Sequence, residues 1–391
     1  MAFFPNAYKT CNISMKSANH SCNHLMSWLL FSAMSYILFG WCTPHLSSWG
    51  GELGYDACIY HLIGREWMNG SIPYKDFSDL KGPLIFLYYG IASLISPNSF
   101  IGISILHSML IGIGLLFAFK SALLFVSKGI AFAVICIYFW WIRFFQANPS
   151  EIVWVLEHIS LYYLLLYASY AKYKICPLHI YVLGLFIGIC IALKFNLTSF
   201  FFPFVLVVMT KAEYSLSRKL FVLVLGILSI LTPIVFYFYI TNSLSSFINE
   251  CFITSYIYGK CPLSQSALVQ KHFTLFSFLN ALPSKLTHLI PQSFCIACGL
   301  LVSLYGLLRL SKLLRSSPIV IFTMHSSFLL IFVANFMGPH SFLHYFTSIY
   351  PLIFLSLLML ARELQIKYNP AKNLCYLVFI CVGGGHILLV Q

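Results

Sequence analysis

The chain has 391 residues, 60% of them hydrophobic and only 8% charged, with a formal net charge of +13 and a mean hydropathy of +0.87. Soluble globular domains carry about 25% charged residues, so this composition excludes a soluble enzyme and points to an integral membrane protein. The lysines and arginines are scattered through short loops and form no continuous basic face, which argues against nucleic acid as a partner.

An apolar run of about 20 residues can cross the hydrocarbon as a helix. Taken in chain order, such runs predict helices near 25–42, 98–119, 129–146, 151–170, 178–194, 197–210, 219–240, 287–308, 318–337, 346–361 and 373–389. The expected fold is therefore an all-α polytopic membrane protein of about eleven transmembrane helices. It forms a single membrane domain over 1–391, with a first external loop at 43–97, a second at 241–286, and no soluble C-terminal domain. Residues 84–96 are apolar but too short to span, and read as a juxtamembrane or re-entrant segment.

With the N-terminus in the cytoplasm, alternate gaps receive Lys9, Lys16, Lys120, Lys128, Lys172, Lys174, Lys211, Arg218, Lys219, Arg309, Lys312, Arg315, Arg362, Lys367 and Lys372, as the positive-inside rule expects. Eight of the ten acids then fall on the opposite face: Glu52, Asp56, Glu66, Asp76, Asp79, Glu151, Glu157 and Glu250. Carboxylates do not set orientation, so their segregation is separate information. The first five occupy one polar stretch between Gly50 and Pro83, and a carboxylate costs about 2.5–3.5 kcal/mol at a bilayer centre even on the lenient insertion scale. Such groups are expected where water or substrate requires them.

Four polar groups share that face: the acidic loop, the turn Gln146-Ala147-Asn148-Pro149-Ser150-Glu151, the turn Lys194-Phe195-Asn196, and the stretch from Gly338 to His344-Tyr345. A carboxylate can serve as a general base, and Lys81 and Lys194 supply point charges for phosphate. That combination suits displacement of a lipid phosphate by a hydroxyl. Asp76 and Asp79 are equally suited to capping juxtamembrane helices or pairing with Lys75 and Lys81. Arg65 and Glu66 fit one amphipathic juxtamembrane helix, and the Cys295/Cys298 pair sits in an apolar run and reads as core.

The segment Gly54-Tyr55-Asp56-Ala57, continuing through Tyr60-His61, Gly64-Arg65, Trp67, Gly70, Ile72-Pro73-Tyr74, Asp76-Phe77, Asp79 and Lys81-Gly82-Pro83-Leu84, resembles the first external loop of GT-C membrane glycosyltransferases. The likeness is to bacterial members related to protein mannosyltransferases and aminoarabinose transferases. Asn148-Pro149-Ser150-Glu151 is similar to their second external loop, with Ser150 in place of a threonine. Gly184 to Gly188, Lys194 and Asn196 resemble a glycine-rich helix ending in lysine, and His344-Tyr345 followed by Pro351 resembles a late H-Y stretch. The chain departs from the family in lacking an adjacent Asp-Glu pair in the first loop.

The resemblance implies a GT-C-like bundle with juxtamembrane helices in the first external loop. It implies inverting transfer of a sugar from a polyprenyl-phosphate donor to a glycan, lipid or protein acceptor at the periplasmic or exofacial side of a bacterial inner or plasma membrane. Asp56 or Glu52 is then the catalytic acid, and Asp76, Asp79, Lys81, Asn148, Glu151, Lys194, Asn196, His344 and Tyr345 bind substrate. A single lipid phosphate can leave with lysines alone, so no metal is required, although the acids are compatible with a divalent ion. The alternative class is a flippase or transporter of lipid-linked saccharides or small solutes, against which stand helix interiors that read as nearly free of charge.

Overall fold

A computed structural model describes residues 21–42, 55–142, 145, 147–169, 174–258 and 350–367, with isolated positions at 308, 323, 326, 327, 330 and 347. Its helices are α1 (Ser21–Cys42), α2 (Tyr55–Met68), α3 (Pro83–Ile95), α4 (Ile101–Leu123), α5 (Lys128–Trp141), α6 (Pro149–Ser169) and α7 (Pro177–Lys194). A 3-10 turn, Phe195–Phe201, leads into α8 (Phe202–Lys211) and then α9 (Leu216–Ile240). After α9 come α10 (Leu244–Ile248), a π-helical turn Asn249–Thr254, α11 (Ser255–Tyr258) and, later in the chain, α12 (Tyr350–Lys367). Among the described residues α4, α6, the helical stretch Pro177–Lys211 and α9 are long and apolar enough to cross a membrane. The fold class that follows is an all-α, membrane-embedded protein.

Helices occupy the predicted runs from 25–42 to 219–240 and the run at 346–361, whereas those at 287–308, 318–337 and 373–389 fall largely or wholly outside the described residues. One boundary moved for a local reason. The helix predicted to reach residue 146 stops at Trp141, because the chain must turn into Pro149, which starts α6 with its fixed φ and missing N–H. The first external loop carries two short helices, α2 and α3. The segment expected to be too short to span is α3, 13 residues long.

α1 packs on α4, α2 on α3, α4 on α6, and α7 on α9, with α12 against α5 and α6. Small residues permit these approaches. A Cβ on Gly184 of α7 would strike the Leu223 carbonyl of α9, and one on Gly114 of α4 would strike the Trp154 ring of α6. α8 does not prolong α7. Phe204, Val207 and Val208 line the same cavity as Val182, Leu183 and Phe186, so the chain reverses through the 3-10 turn.

Candidate functional site

The acidic loop is built around a tyrosine. Tyr74 has φ 65°, a left-handed conformation that bulky side chains rarely adopt. It is held there by its own ring, packed 5.4 Å from both Phe238 and Phe247 and 6.0 Å from Phe86, and by its hydroxyl, which donates to the Lys81 carbonyl at 2.6 Å. Burial holds that hydroxyl well above the usual phenol range. Asp76 is exposed and its Oδ2 accepts from the Ile72 N–H at 2.7 Å, closing the preceding turn. Asp79 points inward, and its Oδ1 accepts from the Lys81 N–H at 2.8 Å.

Gly82 then docks the loop onto the end of α7. Its N–H donates to the Leu193 carbonyl at 3.0 Å, and a Cβ there would collide with the Ala192 carbonyl. Lys194 follows at the α7 terminus. The consequence is a cluster: Lys194, largely desolvated at the end of α7, lies within charge reach of Lys81 and Asp56, and Asp79 lies within reach of the same two. Burial raises the Asp79 carboxyl above the ordinary range; the Lys81 N–H and charge oppose this, and Asp56 adds to it. Asp56 sits in the first turn of α2, where the helix dipole favours a carboxylate. Its Oδ2 accepts from Tyr60 Oη at 3.4 Å, and burial, then Asp56 and Asp79, push the Tyr60 hydroxyl upward.

A second element closes over this loop. Ser78 donates to Glu250 Oε2 at 2.8 Å, and Ser255 donates to the Leu80 carbonyl at 3.0 Å. Cys251, beside Tyr74, has its thiol pushed up to about 12 by burial. Sequence reading grouped Glu250 with the acids of this face but gave it no partner, since a contact across 172 positions leaves no local signal. Asn196, in the 3-10 turn after Lys194, has its Oδ1 buried without a hydrogen-bond partner among the described residues.

Asn148 and Glu151 form a separate group. Both are buried, 3% and 2% exposed, and Glu151 Oε2 lies 2.9 Å from His107 Nε2 of α4, itself fully buried. Tyr88 Oη stands 3.4 Å from His107 Nδ1, and Tyr89 donates to the Ala147 carbonyl at 3.3 Å. The Tyr60 and Tyr89 rings, 5.7 Å apart, stand between this group and Asp56. Deeper in α6, Trp154 Nε1 donates to Tyr138 Oη at 2.8 Å, and Tyr138 Oη lies 2.8 Å from His158 Nε2. Glu157 is fully buried next in sequence.

The structure therefore brings Asp56, Asp79, Lys81 and Lys194 together, with Asn196 two residues beyond Lys194 in the 3-10 turn. It sets Asn148 and Glu151 behind a tyrosine wall and leaves Asp76 in a surface turn. Glu52, His344 and Tyr345 lie outside the described residues. Glu157, assigned by sequence to the far face with the loop acids, is about two turns inside α6. Hydropathy finds a helix but not the depth of one side chain along it. His107, His158 and Tyr138 were not singled out at all.

Among the described residues, no group of three or more His, Cys, Asp or Glu side chains is arranged to hold a metal ion. A cavity of about 230 Å³ lies elsewhere, lined by Tyr163, Tyr167, Leu178, His179 and Val207 among others, at the end of α6 and α7 remote from Glu151 and Lys194. Compared with protein-family models, curated proteins and solved structures, the chain matches none of them.

Proposed function

We propose that the chain is an inverting glycosyltransferase that moves a sugar from a polyprenyl-phosphate donor to an acceptor hydroxyl on the face bearing Asp56. The observation that carries this reading is the cluster itself: Asp79 beside Lys81 in the first loop, and Asp56 and Lys81 within charge reach of Lys194 at the end of α7. The likeness of the loop to GT-C sequences supports it independently. In the reaction, the acceptor oxygen attacks the anomeric carbon as its proton passes to the Asp56 carboxylate. The carbon–oxygen bond to phosphate breaks, and the lipid phosphate leaves with its charge opposed by Lys81 and Lys194. Asp79, its carboxyl raised by burial, and the Asn196 amide are suited to hydrogen-bond the sugar or acceptor. No step needs a metal.

The test is transfer from a synthetic polyprenyl-phosphate sugar by purified protein. Asp56→Asn is expected to lower the rate by about 10²–10⁴-fold, the usual contribution of a positioned base; an unaltered rate refutes the assignment. One observation favours a second reading, a transporter of lipid-linked saccharides or small solutes. Glu157 and His158 are buried inside a candidate span, where ionisable groups tend to mark pathways. Substrate-dependent uptake by proteoliposomes without any transfer product would select it.

A further inference from the structure

The His107–Glu151 pair is almost completely enclosed in the bundle, with side chains 0% and 2% exposed and 2.9 Å between Nε2 and Oε2. Tyr88 Oη stands 3.4 Å from Nδ1, while Nε2 meets the Glu151 carboxylate as an ion-pair contact. The pair therefore links α3, α4 and the first turn of α6 at one point.

Stability alone is a poor reason for such a pair. Apolar replacements of a buried ion pair are often neutral or stabilising, and the best-attested use of one is to fix register. Register is what this interface needs. α4 and α6 meet again where Gly114 admits the Trp154 ring, a contact that sets how closely the helices approach but would tolerate sliding along them. The close polar contact between His107 and Glu151 opposes that sliding at the end where Asn148, Pro149 and Ser150 enter α6. That turn is held on its other side by Tyr89, whose hydroxyl donates to the Ala147 carbonyl. Through the 5.7 Å Tyr89–Tyr60 ring contact and the 3.4 Å Tyr60–Asp56 bond, the turn is connected to the candidate base.

We propose that His107 is a positioning residue. Through Glu151 it fixes the Asn148–Ser150 turn against the Tyr60–Tyr89 wall, and so aligns that wall with Asp56. The catalytic part of this inference rests on the glycosyltransferase reading; the positional part does not.

The experiment uses the full-length protein carrying Ser150→Cys, a near-isosteric change at a buried position. Maleimide labelling is followed peptide by peptide, with the buried native thiol of Cys190 reporting on the global fold. His107→Ala is expected to speed labelling at position 150 by about tenfold or more by freeing local opening of the turn, while Cys190 stays protected. His107→Gln returns an N–H donor and is expected to stay within about twofold of the parent. Equal labelling in the parent and His107→Ala overturns the proposal, as does His107→Gln labelling as fast as His107→Ala. Should His107→Ala expose Cys190, Glu151→Leu, which removes the acceptor and keeps most of the volume, replaces it in both comparisons.

In the transfer assay, His107→Ala is expected to lower kcat with donor KM unchanged, and His107→Gln to restore it. A rise in KM with kcat intact removes the alignment role. If the parent protein transfers no sugar, the glycosyltransferase reading falls while the labelling result still judges the positioning.

Discussion

Gly82→Ala is the most exacting probe of the cluster, because no flexible side chain is available to yield. The added Cβ meets the Ala192 carbonyl oxygen, the Ala192 carbonyl carbon at 2.5 Å and the Leu193 nitrogen at 3.0 Å, all of them backbone atoms within α7. Relief requires the loop to lift, which also lengthens the Gly82 N–H to Leu193 carbonyl bond, now 3.0 Å. Overpacking of this kind costs about 1–3 kcal/mol and the net loss of one hydrogen bond about 1 kcal/mol. Part of the first is recovered as the loop moves, so the local destabilisation is about 2 kcal/mol, or about 30-fold in the opening equilibrium. Hydrogen exchange of the peptide containing residues 79–86 reads this directly, with exchange about 30-fold faster in the variant and α6 peptides unchanged. Gly129→Ala is the matched control, since its Cβ would meet nothing within 4 Å. Exchange in Gly82→Ala within about twofold of wild type would show that the loop is not docked on α7 through this glycine, and the cluster of Lys81 with Lys194 would lose its mechanical basis.

Three further outcomes follow from named contacts. Asp79 binds its proton more tightly in the folded chain than in the unfolded one, because burial raises its carboxyl. Stability therefore falls as pH rises from the ordinary carboxylate range through the raised one, and Asp79→Asn should flatten that part of the Tm–pH curve; an identical slope contradicts the burial argument. Trp67 Nε1 donates to Tyr237 Oη at 2.7 Å, tying α2 to α9. Either Trp67→Phe or Tyr237→Phe should cost about 1 kcal/mol by thermal unfolding, and the double variant less than the sum; strict additivity means the bond contributes nothing. Lys174 and Glu213 are 72% and 70% exposed, so Lys174→Ala should leave Tm unmoved, and a clear drop would show the pair to be better shielded than this.

Much of the fold was legible because hydrocarbon length and helix rise dictate it: α4, α6, α7 and α9 lie where apolar runs of sufficient length lie, and α3 was recognised as too short. The acidic loop stood out for an equally direct reason, the cost of carboxylates near lipid. What could not be read is everything fixed by packing between helices. In a bundle whose helices are apolar on nearly all sides, the 3.6-residue period no longer marks an inward face, so nothing in the sequence separates His107, which meets Glu151, from any other lone histidine. The left-handed backbone at Tyr74 was equally invisible. No glycine or asparagine announces it, and the ring contacts that hold it come from Phe238 and Phe247, far along the chain.

The acids divide into two systems, and the division separates the two functional readings. Asp56 and Asp79 are partly exposed and lie in one cluster with Lys81 and Lys194. Glu151 and Glu157 lie inside α6 with less than 3% of their surface exposed, the first against His107 and the second beside His158. A sugar transferase uses the first system and treats the second as framework; a transporter must move something past the second. Glu157→Gln keeps volume and removes the ionisable group. Under the transferase reading this variant should hold at least about half of the wild-type transfer rate, as substitutions outside the reacting groups commonly do, while Asp56→Asn loses transfer. Under the transporter reading Glu157→Gln should abolish uptake into proteoliposomes and Asp56→Asn should spare it. A preparation in which Glu157→Gln alone removes activity would overturn the assignment of chemistry to the first loop, whatever its likeness in sequence.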